Sequence, residues 1–498
     1  MKTSLVDKAK VKLFPEAALG YLIGPVLALI SNSFIAKYLI KYYTDVLDLQ
    51  ARASIFLVLL QVLSVILVVA GNLVVGKLMN KFNTKFGRAR PLLLVGIPLI
   101  ALAFVLMFIL TPFNGDLTLT LVLVTIGYNL YYAIGYPFYY ASHAALVGLS
   151  TRDSKARGLL ATLSNGAVLG AMGACTMVLP FFAGELFPSP EGAYNLFKIL
   201  ALVLIGVTAL GIVTEFLFTR ERISEEEYEI ATLKQNTQSQ SIKTSDQWKI
   251  CSKDKFWWIM IIFFFLFQLG GMLKNASQTY YANAMWGSGT TPAEVNAAGG
   301  KMDGLLGMIG AIPTAAGMLV IWPLSNKFGK GKCILFGGLL ALAGGILGIF
   351  AQNNFVVAAI AFVIKALGGV PAMYISLALL ADVSDHQEAK HGIRCDGLSM
   401  SIYGSIMVAM TGIANAIITG ILSAVNYSAV DAASMYSAPV QTAMKWVFFG
   451  GEAICFGIIA LLFIFMKVEK YSKEDQEILK AKKEAAEATE APKAETAE

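Results

Sequence analysis

Charge is what this chain has least of. Of its 498 residues only 14% are Asp, Glu, Lys or Arg, against 56% that are hydrophobic, where a soluble domain carries about a quarter charged residues. Such a composition excludes a water-soluble globule and places the chain in lipid. Cysteine is equally sparse. The five residues, Cys175, Cys251, Cys333, Cys395 and Cys455, are scattered, and no CxxC or other ligand spacing occurs, so neither disulfides nor a metal centre is expected. There are only three histidines. Paired catalytic acids and nucleophile motifs are missing too, which argues against an enzyme. The N-terminus carries Lys2, Lys8, Lys10 and Lys12 ahead of a long apolar span but no small-residue cleavage site, so no cleavable leader is expected. The net charge of +6 is gathered in short turns and reports topology rather than nucleic-acid binding.

What the chain does have is a run of apolar segments long enough to cross a bilayer, about 20 residues each. Twelve are read, at 17–46, 54–79, 90–111, 117–148, 158–184, 194–219, 255–283, 302–325, 333–351, 354–382, 396–426 and 440–467. They must be helical, because unpaired backbone groups are too costly in hydrocarbon. A basic turn, GKLMNKFNTKFGRARP at Gly76–Pro91, joins the second and third spans and holds Lys77, Lys81, Lys85, Arg88 and Arg90. A shorter version, SNKFGKGK at Ser325–Lys332, recurs between the eighth and ninth. A basic hairpin repeated once per half is a mark of a two-fold repeated transporter. The N-terminus, both turns, the 152–157 turn, the 220–255 loop and the tail are basic, while the alternate loops are nearly free of Lys and Arg apart from Arg52 and Lys301. The positive-inside rule then sets both termini in the cytoplasm. The expected organisation is a cytoplasmic N-terminus (1–16), a six-helix bundle (17–219), a polar cytoplasmic linker (220–254), a second six-helix bundle (255–467) and a frayed or solvated tail (468–498).

Four motifs in order carry a family resemblance: KYLIKYYTDVL at Lys37–Leu47, the Gly76–Pro91 turn, GYPFYY at Gly135–Tyr140 and ALLADVSDHQEAKHGIRCDG at Ala378–Gly397. Together they resemble the glycoside–pentoside–hexuronide:cation symporters, the melibiose-permease-like branch of the major facilitator superfamily, over residues 15–467. The resemblance implies an all-α membrane protein of twelve helices in two pseudo-symmetric six-helix bundles. It also implies alternating access to a central site, and cation-coupled symport of a small polar solute, a sugar or glycoside, in the cell membrane. Family members hold their coupling cation with acids on the second and fourth helices. Matched motif to motif, those acids fall on Val68, Asn72 and Gly135, the first-helix sugar acid near Leu29, the eleventh-helix lysine on Val408 and a fifth-helix base on Asn165. No charged residue survives at these positions. Asn72 and Asn165 are left as neutral oxygen donors for a cation, and the coupling ion, Na+ or H+, is open.

For the solute, Tyr128, Tyr132, Tyr136, Tyr139 and His143 recur every three or four residues and share one helical stripe. Tyrosine suits a sugar, since its ring stacks on C–H faces and its hydroxyl bonds to hydroxyls; Tyr139 also matches the family's sugar-facing aromatic. Interhelical aromatic packing is the plainer reading of the stripe, and a hydrogen-bonded structural role the plainer reading of His143. Further polar candidates are Asn32 and Ser33 on the first span, Gln268 on the seventh, and Tyr403 and Ser405 on the eleventh, with helix–helix hydrogen bonding as their alternative. Lys365 and Glu452 lie near the middle of the tenth and twelfth spans, Lys274 in the outer half of the seventh. Matched depth suggests a Lys365–Glu452 ion pair; otherwise Lys365 is a cationic anchor for an acidic solute. Lys37 and Lys41 are expected to snorkel at the outer boundary. On the cytoplasmic side Arg88, Arg90, Arg157 and Lys330 can pair with Asp382 or Asp385 on the facing half as an inner gate, where His386 and Asn80 depart from the family pattern; charges that merely set topology are the alternative. Partners are a small solute and lipid, with no nucleic acid, in a monomer. An uncoupled facilitator or exchanger, a carrier of acidic or lipid-like solutes and a non-transporting sensor are the rival functions.

Overall fold

The computed structural model describes residues 13–81, 84, 86–150, 154–222, 244–392, 395–471, 474–475 and 477–478. Most of the expected linker and tail, and the first twelve residues, lie outside that set. Eleven described helices are long and apolar enough to span a bilayer. Six belong to the first sequence half: α1 (Pro15–Val46), α2 (Arg52–Met79), α3 (Arg90–Ile109), α4 (Leu117–Val147), α5 (Ser154–Gly173, continued by the π turn Ala174–Val178) and α6 (Pro190–Phe218). Of the others, four are α7 (Lys255–Trp286), α9 (Lys330–Ile349), α10 (Phe355–His391) and α11 (Asp396–Ala424); α8 (Pro292–Phe328) lies between α7 and α9 and is not one of the eleven. The last, α12, is assembled from Ala438–Lys445, the π turn Trp446–Gly451 and Glu452–Phe463. The expected eighth span, 302–325, lies inside α8, a 37-residue helix some of whose side chains are outside the described set. No strand occurs among the described residues.

Helix ends follow local chemistry. Asp116 accepts the amide of Leu119 (2.8 Å) to start α4, and Ser189 accepts that of Gly192 with Pro190 in the first turn of α6. At α8 the carboxylate of Glu294 accepts the amides of Thr290 (2.7 Å) and Thr291 (3.3 Å), while Thr291 Oγ1 accepts the amide of Glu294. Those backbone bonds hold the Glu294 carboxyl below its ordinary range. Large apolar side chains point outward along whole helix faces, as lipid requires: Ile55 and Ile66 on α2, Leu202 and Leu210 on α6, Phe336 on α9, Leu461 on α12.

Contacts divide the chain into two compact units, the first of which draws on both sequence halves. The first comprises 1–238, 272–308 and 408–448; the second 239–271, 309–407 and 449–498. In the second, α9 packs on α10 and α12 through a glycine-rich face. A Cβ at Gly344 would stand 2.6 Å from the Lys365 amide nitrogen and 2.8 Å from the Ala361 carbonyl oxygen, so only glycine permits this backbone approach.

The two basic turns share one internal device. In the first unit, the Glu221 carboxylate, just beyond α6, accepts the amides of Arg88 (2.8 Å), Ala89 (2.9 Å) and Arg90 (2.6 Å) at the start of α3. In the second, Glu469, just beyond α12, accepts those of Lys330 (2.7 Å) and Gly331 (2.9 Å) at the start of α9. Both carboxylates meet the positive end of a helix. Each turn needs a glycine at positive φ, Gly87 (103°) and Gly329 (93°), and a Cβ at Gly87 would run into the Glu221 carboxylate.

Glu221→Ala strands three amides and Glu469→Ala two. Glu221→Ala is therefore expected to cost more, roughly 3 against 2 kcal/mol, read as the difference in thermal midpoint of the purified chain in detergent. An equal or smaller effect at Glu221 would contradict the clasp.

Candidate functional site

In the first unit the tyrosines of α4 are buried, Tyr140 only partly. Tyr128 and Tyr132 ring centroids are 4.7 Å apart, Tyr131 stacks on Tyr136 at 5.9 Å, and Tyr136 stacks on Tyr140 at 5.3 Å. The Tyr131 hydroxyl donates to Asn32 Oδ1 on α1 (3.3 Å). Tyr139 donates to Glu215 Oε2 on α6 (2.9 Å); His143 Nδ1 lies 2.7 Å from Glu215 Oε1, and its Nε2 2.9 Å from Ser164 Oγ on α5. His143 thus has the hydrogen-bonded setting expected for it, around an acid that the sequence reading passed over. The signal was available: Glu215 is an ionisable residue within the span 194–219, and such residues are rare and functional by default.

Several polar atoms near this stripe make no hydrogen bond within the protein. Among the described residues these include the hydroxyls of Tyr43 and Tyr132 and both ends of the Gln61 amide, all buried. Tyr43, Tyr128 and Tyr132 share one electrostatic neighbourhood. A Cβ on Gly412 of α11 would lie 2.8 Å from the Gln61 carbonyl oxygen and 3.5 Å from the Tyr128 hydroxyl, so Gln61 and Tyr128 flank the same glycine. Unmet buried hydrogen-bonding groups are costly unless a bound molecule meets them.

Lys37 and Lys41 require correction. They do not snorkel but are buried, 6% and 1% exposed. Lys37 Nζ lies 3.0 Å from Asp303 on α8, which also accepts from Gln278 Nε2 (2.7 Å) and Thr279 Oγ1 (2.8 Å) on α7. Lys41 pairs with Asp45 at 2.8 Å; Asp45 accepts from Thr44 (2.6 Å) and from Tyr427 (3.3 Å), and Thr44 Oγ1 lies 3.0 Å from the Tyr280 hydroxyl. The end of α1 is enclosed by segments far away in sequence, which hydropathy does not register.

In the second unit Lys365 Nζ lies 2.8 Å from Glu452 Oε2 and faces the rings of Phe362 and Phe449. The pair suggested by matched depth forms. Gln268 Nε2 donates to the Met407 carbonyl (3.0 Å), and the Tyr403 ring packs edge-on to Phe264 at 4.7 Å. Of the expected gate residues, Arg90 donates to the Phe216 carbonyl (2.7 Å from Nη2), Arg88 supplies an amide to Glu221, and Asp382 pairs with Lys330 at 2.6 Å; each of these bonds lies within one half, not with the facing half as expected. Asp385 is partly buried on α10. The side chains of Arg157 and Asn165 lie outside the described residues. Asn72 Nδ2 donates to the Val68 carbonyl of its own helix (2.9 Å).

Residues 20–470 match the model of the MFS/sugar transport protein family. The chain belongs to that family. It is a multi-pass membrane transporter of the major facilitator superfamily, not an enzyme. It is 26% identical over 451 residues to the isoprimeverose transporter of Lactiplantibacillus pentosus, covering 89% of this chain and 86% of that one. It is 24% identical over 393 residues to a glucuronide carrier protein homolog of Escherichia coli (strain K12), covering 77% and 78%. Among solved structures it shares its fold with a D-xylose–proton symporter (TM-score 0.61, 12% identity, 90% of this chain and 97% of that one) and with the nucleoside transporter NupG (TM-score 0.59, 13% identity, 91% and 99%). These likenesses establish the major facilitator fold expected from the motifs.

Lys37→Ala would leave Asp303 buried and uncompensated, and is expected to destabilise the chain by roughly 3–5 kcal/mol. Adding Asp303→Asn should restore part of that loss, because the stranded charge is gone. Thermal melts of the single and double variants in detergent check this; a double variant no better than the single would refute the pairing.

Proposed function

We propose that this family member carries a sugar or glycoside across the cell membrane by cation-coupled symport with alternating access. The observation that carries the reading is the set of buried, unmet hydrogen-bonding groups beside an aromatic stripe: Gln61, Tyr43 and Tyr132, next to Tyr128. Flat rings bordered by free hydroxyl and amide groups suit a ligand that has both C–H faces and hydroxyls. The names of the two relatives, one for isoprimeverose and one for a glucuronide, favour the same class. Tyr139, Asn32, Gln268, Lys365 and Tyr403 remain candidates for contact with the solute in another state of the cycle. The Lys365–Glu452 pair weighs against an acidic solute, because the lysine's charge is already met.

In this reading the buried Lys37–Asp303 and Lys41–Asp45 set ties α1 to α7, α8 and the segment after α11, and closes one end of the path. The basic turns lie at the cytoplasmic end with both termini, where Arg88, Arg90, Arg157, Asp382 and Asp385 exchange partners as the carrier cycles. A monomer suffices for this scheme. Sodium held at Asn72 and Asn165 fits poorly, since neither brings a charge and the Asn72 amide is engaged with its own helix, so the proton is the favoured coupling ion.

Isoprimeverose uptake into proteoliposomes, with proton and sodium gradients imposed separately, tests the function. Gradient-dependent accumulation is expected; uptake no faster than in protein-free vesicles would refute it. Tyr132→Phe should raise KM for the sugar about tenfold, the loss of one hydrogen bond worth about 1.4 kcal/mol. Its melting temperature should hold or rise, because an unmet hydroxyl is removed. A fall in melting temperature with KM unchanged would assign the hydroxyl to the fold instead.

A further inference from the structure

Four buried sets of ionisable side chains are described within the spans, and they differ in how they respond to one added proton. Lys37–Asp303, Lys41–Asp45 and Lys365–Glu452 each join a lysine to a carboxylate. Each set is already neutral, so a further proton would create a net positive charge out of water. The fourth set joins Glu215, 0% exposed, to His143, 3% exposed. With the imidazole neutral and the carboxylate ionised, this set carries one uncompensated negative charge, which is expensive in an apolar interior. One proton brings it to zero whether it rests on the imidazole or on the carboxylate.

We propose that Glu215 and His143, held by Tyr139 and Ser164, form the protonation site through which a proton gradient drives this carrier. The proposal rests on the transport reading above and names the ion and where it binds. The site binds H+ alone: one proton adds, the net charge goes from −1 to 0, and no other bond is made or broken.

The geometry has the three features such a site needs. Both oxygens of Glu215 are fixed, one by the Tyr139 hydroxyl (2.9 Å) and one by His143 Nδ1 (2.7 Å), so the carboxylate cannot turn away to find another partner. Ser164 Oγ at 2.9 Å from His143 Nε2 can accept from the imidazolium or donate to the neutral ring by rotating its hydroxyl, so both protonation states keep their hydrogen bonds. The Tyr139 ring stacks on His143 at 5.8 Å and heads the stripe that runs on to Tyr136 and Tyr132. A change of charge on Glu215 therefore acts directly on a side chain of the aromatic stripe, which is the link that coupling demands.

The other titratable or charged groups facing the pair are few. Tyr140 on α4 has its ring 6.4 Å from His143. From α1 comes Tyr21, whose hydroxyl donates to the Leu146 carbonyl and senses Glu215 as well as the Glu16–Arg222 pair beyond it. From α3 comes Arg90, committed to the carbonyl of Phe216, the residue after Glu215. Of these groups, His143 is the one in direct contact with a Glu215 oxygen besides Tyr139.

Two measurements on the full chain in lipid vesicles test this. The first is infrared pH-difference spectroscopy between roughly pH 5 and 9. A chain whose only histidine is His143 (His386→Gln/His391→Gln) should show imidazole or carboxyl bands that change with pH. Glu215→Gln and His143→Gln should each abolish that change. The second is isoprimeverose accumulation under an inward gradient of one pH unit without sodium. About tenfold accumulation is expected for one proton per solute, lost in Glu215→Gln. No pH-dependent band in the single-histidine chain would overturn the proposal without reliance on any variant of the pair. So would bands that persist in both pair variants, or sugar accumulation in Glu215→Gln that still follows the proton gradient. If the bands behave as expected but isoprimeverose does not move, the protonation site stands and the sugar reading falls. If sodium alone drives uptake and Glu215→Gln keeps it, the sugar reading stands and the protonation site falls.

Discussion

A charge taken out of water has to be met by an opposite charge or by several aimed hydrogen bonds, and the packing of this chain follows from that requirement. Glu221 is met by three amides at the start of α3. Asp303 is met by a lysine, an amide and a hydroxyl drawn from α1 and α7. Glu215 is met by a tyrosine and a histidine of α4. Apolar side chains alone do not specify which helices adjoin, because lipid offers them the same surroundings as another helix does. Buried acids do specify it, since each can be satisfied only where particular donors converge. The contacts α3–α6, α1–α8 and α4–α6 each carry one such acid.

The basic turns show how repetition in sequence becomes repetition in structure. Their lysines and arginines are the visible signal, yet the shared function falls to their amides and to one positive-φ glycine in each turn. Arg88 and Arg90 in one turn and Lys330 in the other lend backbone to a carboxylate that follows the sixth helix of its own half. The clasp is fuller in the first half, with three amides against two. In the second half Lys330 also pairs with Asp382. The halves share one plan and differ in the number of amides that meet the carboxylate.

Much of this was legible from the sequence. Apolar run length and the alternation of basic loops gave the helices, and four motifs gave the family. Lys365 and Glu452 were found as a pair because both interrupt long apolar runs at similar depth, and a membrane aligns depth even between distant segments. What stayed hidden needed lateral neighbours, on which hydropathy is silent. Lys37 and Lys41 sit near the end of a span, where snorkelling and pairing have the same sequence signature, and only the arrival of Asp303 from α8 distinguishes them. Gln61 looks like an isolated amide in an apolar helix until its backbone carbonyl is found beside Gly412, next to the Tyr128 hydroxyl. Glu221 and Arg222 read as the start of a polar linker, yet both are buried in the first unit.

The positions onto which the family resemblance maps the cation-binding acids hold Val68, Asn72 and Gly135, and each is engaged in helix packing. Val68 is buried, its carbonyl receives the Asn72 amide, and Gly135 is packed against Ile100 of α3. These positions have become part of the helix packing. A carrier coupled to an ion still needs one place whose charge depends on that ion, and the place must touch the groups that hold the solute. Lys37–Asp303 and Lys365–Glu452 each hold a balanced charge, so an arriving cation gains nothing there. Glu215 is the buried acid among the described helices whose partner is an imidazole rather than a lysine, and it accepts from the same tyrosine that ends the α4 stripe. On the proposal above, coupling acts at the junction of α4, α5 and α6 and the ion is a proton, which needs two well-placed acceptors rather than a cage of oxygens.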